Sequence, residues 1–445
     1  MLSSGARMPQ LRDVGRILDE GRWGPYQRRL VFLTALTVVF DGIDNQLMGV
    51  AIPTIMREWS VARADFAPVI SLGYLGMMAG GAVAGVVGDR LGRKVALLTS
   101  MAVFGAMTVA VAVVDDIGSL GLLRFLTGLG LGGAIPNAAA LAAEYVPKRQ
   151  RPIAVAVTIV CVPLGATLAG LIAIPALPAI GWRALFVIGG VMPLVAAVAL
   201  IWMLPESPRY LARHRHRWAE LVASLRRMGH DVSDGTAFGD GSVDTAPRPS
   251  IGTLFGPTFR VDTIALWAAF FSCLLAVYLG FSWVPSMLTG AGFSSSMAST
   301  GITAFNLGGV AGALIGSLCI ARWGSRRSML VMTGLAVASA GLMSAMPPVA
   351  GAAVLPIMLM LTATGALING VQTTMYALAA HVYPAAVRAT GVGTAVSFGR
   401  IGAVLTGFIG AWALERGGPG LFFAVIAAAM ALCFVALASV RRHVP

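Results

Sequence analysis

Hydrophobic positions along this chain fall in long runs, and polar positions gather in short breaks between them. Twelve runs stand out, roughly 30–53, 66–88, 95–114, 118–144, 151–175, 182–204, 263–289, 297–320, 326–346, 350–380, 387–412 and 419–440. A run of about 18 or more apolar residues reads as a membrane helix. At about 1.5 Å per residue each run reaches across about 30 Å of hydrocarbon. The pattern predicts an all-α membrane protein with twelve transmembrane helices. Its segments are a polar N-terminal stretch (1–29), a six-helix half (30–204), a polar linker (205–262), a second six-helix half (263–440) and a short tail (441–445). The first apolar run is long, carries Asp41 and Asp44 and lacks a cleavage pattern, so it reads as a retained span and not as a signal peptide.

Composition supports this reading. Of the 445 residues, 57% are hydrophobic and 11% charged, against about a quarter charged in soluble domains. Cys161, Cys273, Cys319 and Cys433 all lie inside apolar runs, which argues against a disulfide framework or a metal site. The net charge of +13 would suit nucleic acid, but the positions of the charges argue otherwise. Of the 32 Lys and Arg residues, 26 fall in the two termini, the linker and the loops on the same side of the predicted spans. The other side holds Arg57, Arg63, Arg183 and Arg416, and the spans hold Arg124 and Arg400. That asymmetry is the positive-inside pattern and predicts cytoplasmic termini. The Gly/Asp/Ser-rich tract 239–250 marks the linker, in which a short amphipathic helix is expected, and residues 1–20 and 230–250 are expected to be disordered.

The two halves resemble each other. LAAEYVPKRQR (141–151) and LAAHVYPAAVR (378–388) align, and GATLAG (165–170) matches GAVLTG (402–407) at the same offset. A repeat of this kind suggests a transporter that holds its solute between two halves which rock against each other.

The break after the second span reads GVVGDRLGRK (85–94). It resembles the cytoplasmic signature of the major facilitator superfamily, as do RFLTGLGLGGAIPNAAALAAEY (124–145) and LPESPRYL (204–211). DGIDNQLMG (41–49), with Arg124 and YPAAVRATGVGTAVSFGRIGA (383–403), is similar to the aromatic acid:proton symporters within it. The resemblance covers roughly residues 25–440. It implies the twelve-helix fold of that superfamily in a bacterial inner membrane, and import of a carboxylate such as a hydroxybenzoate with protons. It implies no cofactor beyond the coupling proton, and no nucleic-acid partner. A monomer in the lipid bilayer is expected. The second-half counterpart of the signature, ARWGSRR (321–327), departs from it by placing Ala321 where an acid would sit.

Charges inside a membrane are costly, about 2.5–3.5 kcal/mol at a helix centre on insertion scales, and usually functional. Asp41 and Asp44 are three apart and share a helix face, a pair suited to proton coupling. By helix rise Asp44 and Arg124 fall at similar depth. They would form either a fixed ion pair or a switch in which a substrate carboxylate competes for Arg124, whose planar fork suits a carboxylate. Arg400 is a second candidate for substrate binding, or for pairing with an Asp across the halves. Tyr278, Asn369 and Gln372 are candidate partners for a ring hydroxyl. The aromatic residues of the seventh span, Trp267, Phe270, Phe271, Phe281 and Trp283, would supply an apolar slot or ordinary packing. Asp89, Arg90, Arg93, Glu144, His381 and Arg388 lie at helix ends and read as gating or structural groups. Asp89 is expected to meet the N-terminus of the eleventh span near Arg388, and Glu144 to pair with Arg93 or Arg90.

Two other transport readings stay open from the residues: a symporter for a non-aromatic acid resembling muconate or shikimate, and an exporter working by proton antiport. The spans bring no nucleophile–base pair, metal cluster or phosphate loop, so an enzyme is not expected.

Overall fold

The computed structural model describes residues 12–233, 236–239, 251–349 and 351–444. Ten long helices dominate it. They are α1 (Pro25–Trp59), α2 (Phe66–Leu91), α3 (Arg93–Val111), α4 (Ile117–Glu144), α5 (Arg151–Met203), α6 (Arg260–Gly290), α7 (Ser295–Trp323), α8 (Ser325–Ala345), α9 (Val354–Val382) and α10 (Ala385–Ser439). All ten are long and apolar enough to cross a membrane. Two are far too long for a single crossing. α5 has 53 residues and α10 has 55, about 80 Å each at the rise of an α-helix. Each breaks once, at Gly181 (φ 77°) and at Gly418 (φ 57°). Glycine tolerates these positive φ values without the Cβ clash that other residues meet. The breaks replace the open loops expected near residues 176–181 and 413–418.

The helices run alternately between two ends of the bundle. At one end Glu58, in the last turn of α1, accepts from Trp182 Nε1 at 2.7 Å and from Arg183, which also binds Asp115 at 2.5 Å. Asp116 caps α4 by accepting from Ser119 N at 2.8 Å. At the other end lie Arg12 and Val444, the first and last described residues, and the described parts of the linker. There Glu206 accepts from Lys94 N at 2.9 Å, and Ser325 N donates to Val444 O at 2.9 Å.

Within each bundle of helices, glycine brings backbones into direct contact. A Cβ on Gly76 or Gly80 of α2 would fall inside the carbonyls of Phe125 or Leu129 on α4. Gly308 and Gly312 of α7 meet Thr362 and Ala366 of α9 in the same way. Gly165 of α5 lies on Val39 of α1, and Gly402 of α10 on Phe271 of α6. Small residues at such crossings allow the close van der Waals packing that holds helices together in lipid, where the hydrophobic effect between helices is absent.

The polar segments are more ordered than expected. Residues Arg12–Asp13 pair in parallel with Phe238–Gly239, and the short helix Val14–Asp19 buries Val14 and Leu18. Asp19 forms an ion pair with Arg151, and Gln27 Nε2 donates to Met228 O at 3.3 Å. The expected amphipathic helix is Trp218–Arg227, with Leu221 and Leu225 buried. Disorder is thus corrected for residues 12–20, 230–233 and 236–239, which gain a partner strand and buried apolar contacts. Residues 1–11, 234–235 and 240–250 lie outside the described residues.

Candidate functional site

Asp41 and Asp44 both lie in α1, and both are wholly buried. Their surroundings differ completely. Asp44 Oδ2 accepts from Arg124 Nη1 at 3.2 Å, and its Oδ1 accepts from the hydroxyl of Thr108 on α3. Arg124 is itself 6% exposed, so the pair is dry. Neither oxygen of Asp41 has a hydrogen-bond partner. The charges whose fields reach Asp41 are Asp44, on its own helix, and Arg400, on α10.

Arg400 reaches across from α10 to α2. Its Nη1 donates to Met77 O at 2.5 Å, and it lies over Gly81, where an added Cβ would stand 3.2 Å from Nη1. Arg400 also faces a cavity of about 280 Å³. Tyr278 and Phe281 of α6, Asn369, Gln372 and Tyr376 of α9, and Pro163 of α5 line it. Ile135, Ile159, Val162 and Leu274 are among its apolar walls, and Thr373 adds a hydroxyl. Apolar walls with a few polar groups are the usual make-up of a small-molecule site. The cavity's lining falls on the halves of α4, α5, α9 and α10 nearer the linker end, so it lies between the centre of the bundle and that end.

Toward the opposite end the way is closed. Gln46 Nε2 donates to Phe281 O at 3.0 Å, and Asn306 Nδ2 donates to Gln46 Oε1 at 3.0 Å. Ser71 donates to Val404 O at 2.7 Å, and the hydroxyls of Tyr74 and Ser282 are 2.8 Å apart. Each of these bonds joins residues before the linker to residues after it. The rings of Tyr74 and Tyr278 are 4.5 Å apart between centroids. They stand between the large cavity and a small pocket of about 20 Å³, which Arg124, Tyr74 and Asn45 line.

The structure therefore separates the residues that the sequence grouped together. Arg400, Tyr278, Asn369 and Gln372 meet around one cavity. Arg124 does not line it; the guanidinium is held on Asp44, beyond the tyrosine pair. Of the α6 aromatics, only Tyr278 and Phe281 line the cavity. Phe270 and Trp283 are fully buried packing residues, and Trp267 stacks on Phe398 at 4.9 Å. Thr108, Tyr74, Gln46 and Asn306 belong to the site or its closure but drew no notice in the sequence. Neutral polar residues in a span give no charge signal, although Gln46 lies within the DGIDNQ run.

The helix-end groups gather at the linker end. Arg93 Nη2 binds Asp89 at 2.5 Å, and its Nε stands 3.9 Å from Glu144. Ser207 donates to Glu144 as well. The carbonyl of Arg90 accepts from Tyr210 at 3.3 Å. Arg388 Nε turns back to Tyr383 O at 3.2 Å, and His381 is exposed in the last turn of α9, outside the cavity lining. Asp89 thus pairs with Arg93 within the same helix–helix corner.

A bundle of long apolar helices closed at one end, with a cavity near its centre, is an architecture suited to carrying a solute. The model of the Major Facilitator Superfamily matches residues 34–375 and 266–445. The fold is also that of the solved xylose transporter XylE from E. coli, in a partially occluded inward open conformation, with a TM-score of 0.73 at 15% identity over 93% of this chain and 97% of that one. The gallate transporter of Pseudomonas putida is 33% identical over 93% of this chain and 92% of its own length. The 4-hydroxybenzoate transporter PcaK of Pseudomonas aeruginosa is 34% identical, with 97% and 96% covered. The 3-(3-hydroxy-phenyl)propionate transporter of Escherichia coli is 32% identical, with 84% and 83% covered. The chain belongs to the major facilitator superfamily, in the same branch as these three carriers, and it is a multi-pass membrane transporter and not an enzyme.

Proposed function

We propose that this protein imports a small aromatic carboxylate together with protons across a bacterial inner membrane. The observation that carries the proposal is the cavity itself: Arg400 beside Tyr278, Tyr376, Asn369 and Gln372, backed by a buried Asp41 without a hydrogen bond. The relatives named above, carriers of gallate, 4-hydroxybenzoate and a hydroxyphenylpropionate, support the same class of solute.

The chemistry follows from charge balance. An ionised carboxylate buried without partners is very costly, and taking up a proton removes that cost. With its proton on, Asp41 makes no claim on Arg400. The guanidinium then exchanges the neutral carbonyl of Met77 for the carboxylate of the solute, a charge-assisted and bidentate contact. The ring lies against Tyr278 and Phe281, and a ring hydroxyl meets Asn369 or Gln372. When Asp41 releases its proton, the carboxylate competes with the solute for Arg400 and favours its departure. Arg124 and Asp44 stay paired and fasten α1, α3 and α4. One proton carried with a monocarboxylate moves no net charge, so the pH gradient drives uptake at about 1.36 kcal/mol per unit. A second proton would add about 2.3 kcal/mol per 100 mV.

In this reading α5 and α10 each cross the membrane twice, through their breaks at Gly181 and Gly418, which makes twelve crossings in two six-helix halves. The linker end is cytoplasmic, in keeping with its basic residues. The protein works as a monomer with the proton as its coupling ion.

The test is uptake of radiolabelled 4-hydroxybenzoate into proteoliposomes with an alkaline interior. Accumulation that collapses with a protonophore is expected. Uptake that equilibrates without responding to the gradient removes proton coupling. No uptake of any aromatic acid, from protein that exchanges another organic anion, removes the substrate class.

A further inference from the structure

A second cavity, of about 330 Å³, opens at the end opposite the linker. Its cations are Arg57, in the last turn of α1, and Arg63, in the turn that leads to α2. Arg57 Nη2 donates to Ser295 Oγ at 3.0 Å, and Arg63 Nε to Ser286 Oγ at 3.4 Å. Both bonds cross from residues before the linker to residues after it. Among the described residues neither arginine forms an ion pair. Glu415 lies within electrostatic reach of Arg63 but outside pairing distance, and Asp65 is occupied as the acceptor for Ala62 N at 2.8 Å. Arg183, at the same end, is by contrast saturated by Glu58 and Asp115.

The two guanidinium groups share a cavity and donate to neutral oxygens, the hydroxyls of Ser295 and Ser286 and, from Arg57 Nε, the carbonyl of Pro53 at 3.2 Å, an arrangement whose charge suits an anion. A carboxylate makes shorter and roughly twofold stronger bonds to guanidinium than a neutral acceptor does. The wall opposite is the start of α7, where Ser294 caps Met297 N at 3.2 Å. A helix N-terminus favours negative charge at that spot. Met56, Val61 and Phe293 give the cavity an apolar side large enough for a ring.

We propose that Arg57 and Arg63 form an outer capture site for an organic carboxylate, and that its binding withdraws both arginines from Ser286 and Ser295 and so loosens the closure at that end. The inference rests on the preceding reading for the direction of transport and the anionic solute. The site lies on the far side of the Gln46–Asn306 and Tyr74–Ser282 contacts from Arg400, so solute held there is not yet in the central cavity.

The site is tested with Thr289→Cys, which places a thiol in the cavity wall. Its rate of modification by an anionic methanethiosulfonate is compared with that by a cationic one, over the background of the four native cysteines. The anionic reagent is expected to react at least fivefold faster. Benzoate in the outer medium should protect, and Arg57→Gln with Arg63→Gln should abolish both effects. Equal rates with the two reagents, or no protection, would overturn the proposal even if the protein transports nothing. In uptake assays the same Gln pair should raise KM about tenfold with little change in kcat, and Lys at both positions should recover most of that rise. An unchanged KM in wild-type-like uptake also overturns the capture role, whereas absence of uptake in the unmutated protein counts against the transport reading alone.

Discussion

Replacing Asp44 by Asn removes one half of a dry ion pair and leaves Arg124 charged, 6% exposed and without its carboxylate. Breaking a buried pair from one side costs about 3–5 kcal/mol, because the remaining charge stays uncompensated. The Thr108 hydroxyl can still bond the Asn side-chain oxygen, so the loss falls on the charge and not on that hydrogen bond. Arg124→Gln should cost a similar amount for the mirrored reason. The double variant Asp44→Asn/Arg124→Gln removes both charges and should recover at least about 2 kcal/mol relative to the sum of the singles. The assay is thermal unfolding of purified protein in detergent, followed by the exposure of buried Cys273 and Cys433 to a fluorogenic maleimide. The double variant falling at the sum of the two singles would refute the reasoning, since a fixed pair requires coupling. Single variants as stable as the wild type would refute it more directly, and would return Arg124 to the role of a substrate ligand.

Asp41 should behave in the opposite way. Asp41→Asn leaves no charge unpaired, so folding is kept while accumulation driven by a pH gradient is lost; the tenfold accumulation that one proton yields per pH unit falls to simple equilibration, measured as steady-state uptake, with solute exchange retained. Arg400→Gln should raise the KM for an aromatic acid by about 100-fold, an effect of about 2.7 kcal/mol, with no loss of thermal stability, measured by uptake and by unfolding in parallel. Gly312→Ala would drive a methyl into the backbone carbonyl of Ala366; overpacking of this kind costs about 1–3 kcal/mol and should appear as a lower unfolding temperature. Outside the membrane, burial holds His230 below the usual histidine range. A depressed histidine contributes stability that is present above its unfolded value of about 6.5 and is lost as pH falls through the folded value. His230 stands against Gly21, so the protection factors of residues 12–20, corrected for the intrinsic slowing of exchange at lower pH, should fall on acidification, and His230→Gln should remove that dependence.

The spans were legible because lipid leaves only the backbone hydrogen bonds of the helix itself, so every crossing must be long and apolar. The breaks inside α5 and α10 were legible only as gaps in hydropathy, since a glycine at positive φ turns the chain without an open loop. The three-residue spacing of Asp41 and Asp44 put both on one face of α1 but said nothing of what opposes them. Asp44 finds Thr108 and Arg124, whereas Asp41 finds no hydrogen bond. That difference comes from packing between helices distant in the chain, which local periodicity does not encode. Depth along the helix axis brought Arg124 level with Asp44, but depth carries no azimuth, and the tyrosine pair that parts Arg124 from the cavity was invisible to it. The N-terminal segment misled for a related reason. Its polar composition reads as disorder, yet Val14 and Leu18 are enough to seat it once the linker supplies a surface.

That seating shortens the effective leash between the two bundles. The linker is bound to the first bundle as far as Gly239, through its pairing with Arg12 and Asp13. On the far side, Leu254 O accepts from Thr263 at 3.0 Å and Phe255 packs edge-on against Trp267, so the chain from Ile251 onward belongs to α6. The span left to join the bundles runs from Gly239 to Ile251, and a dozen peptide units extend to about 40 Å at most. As long as the strand pairing holds, that reach caps how far the bundles can separate at the linker end, while the opposite end carries no such tie.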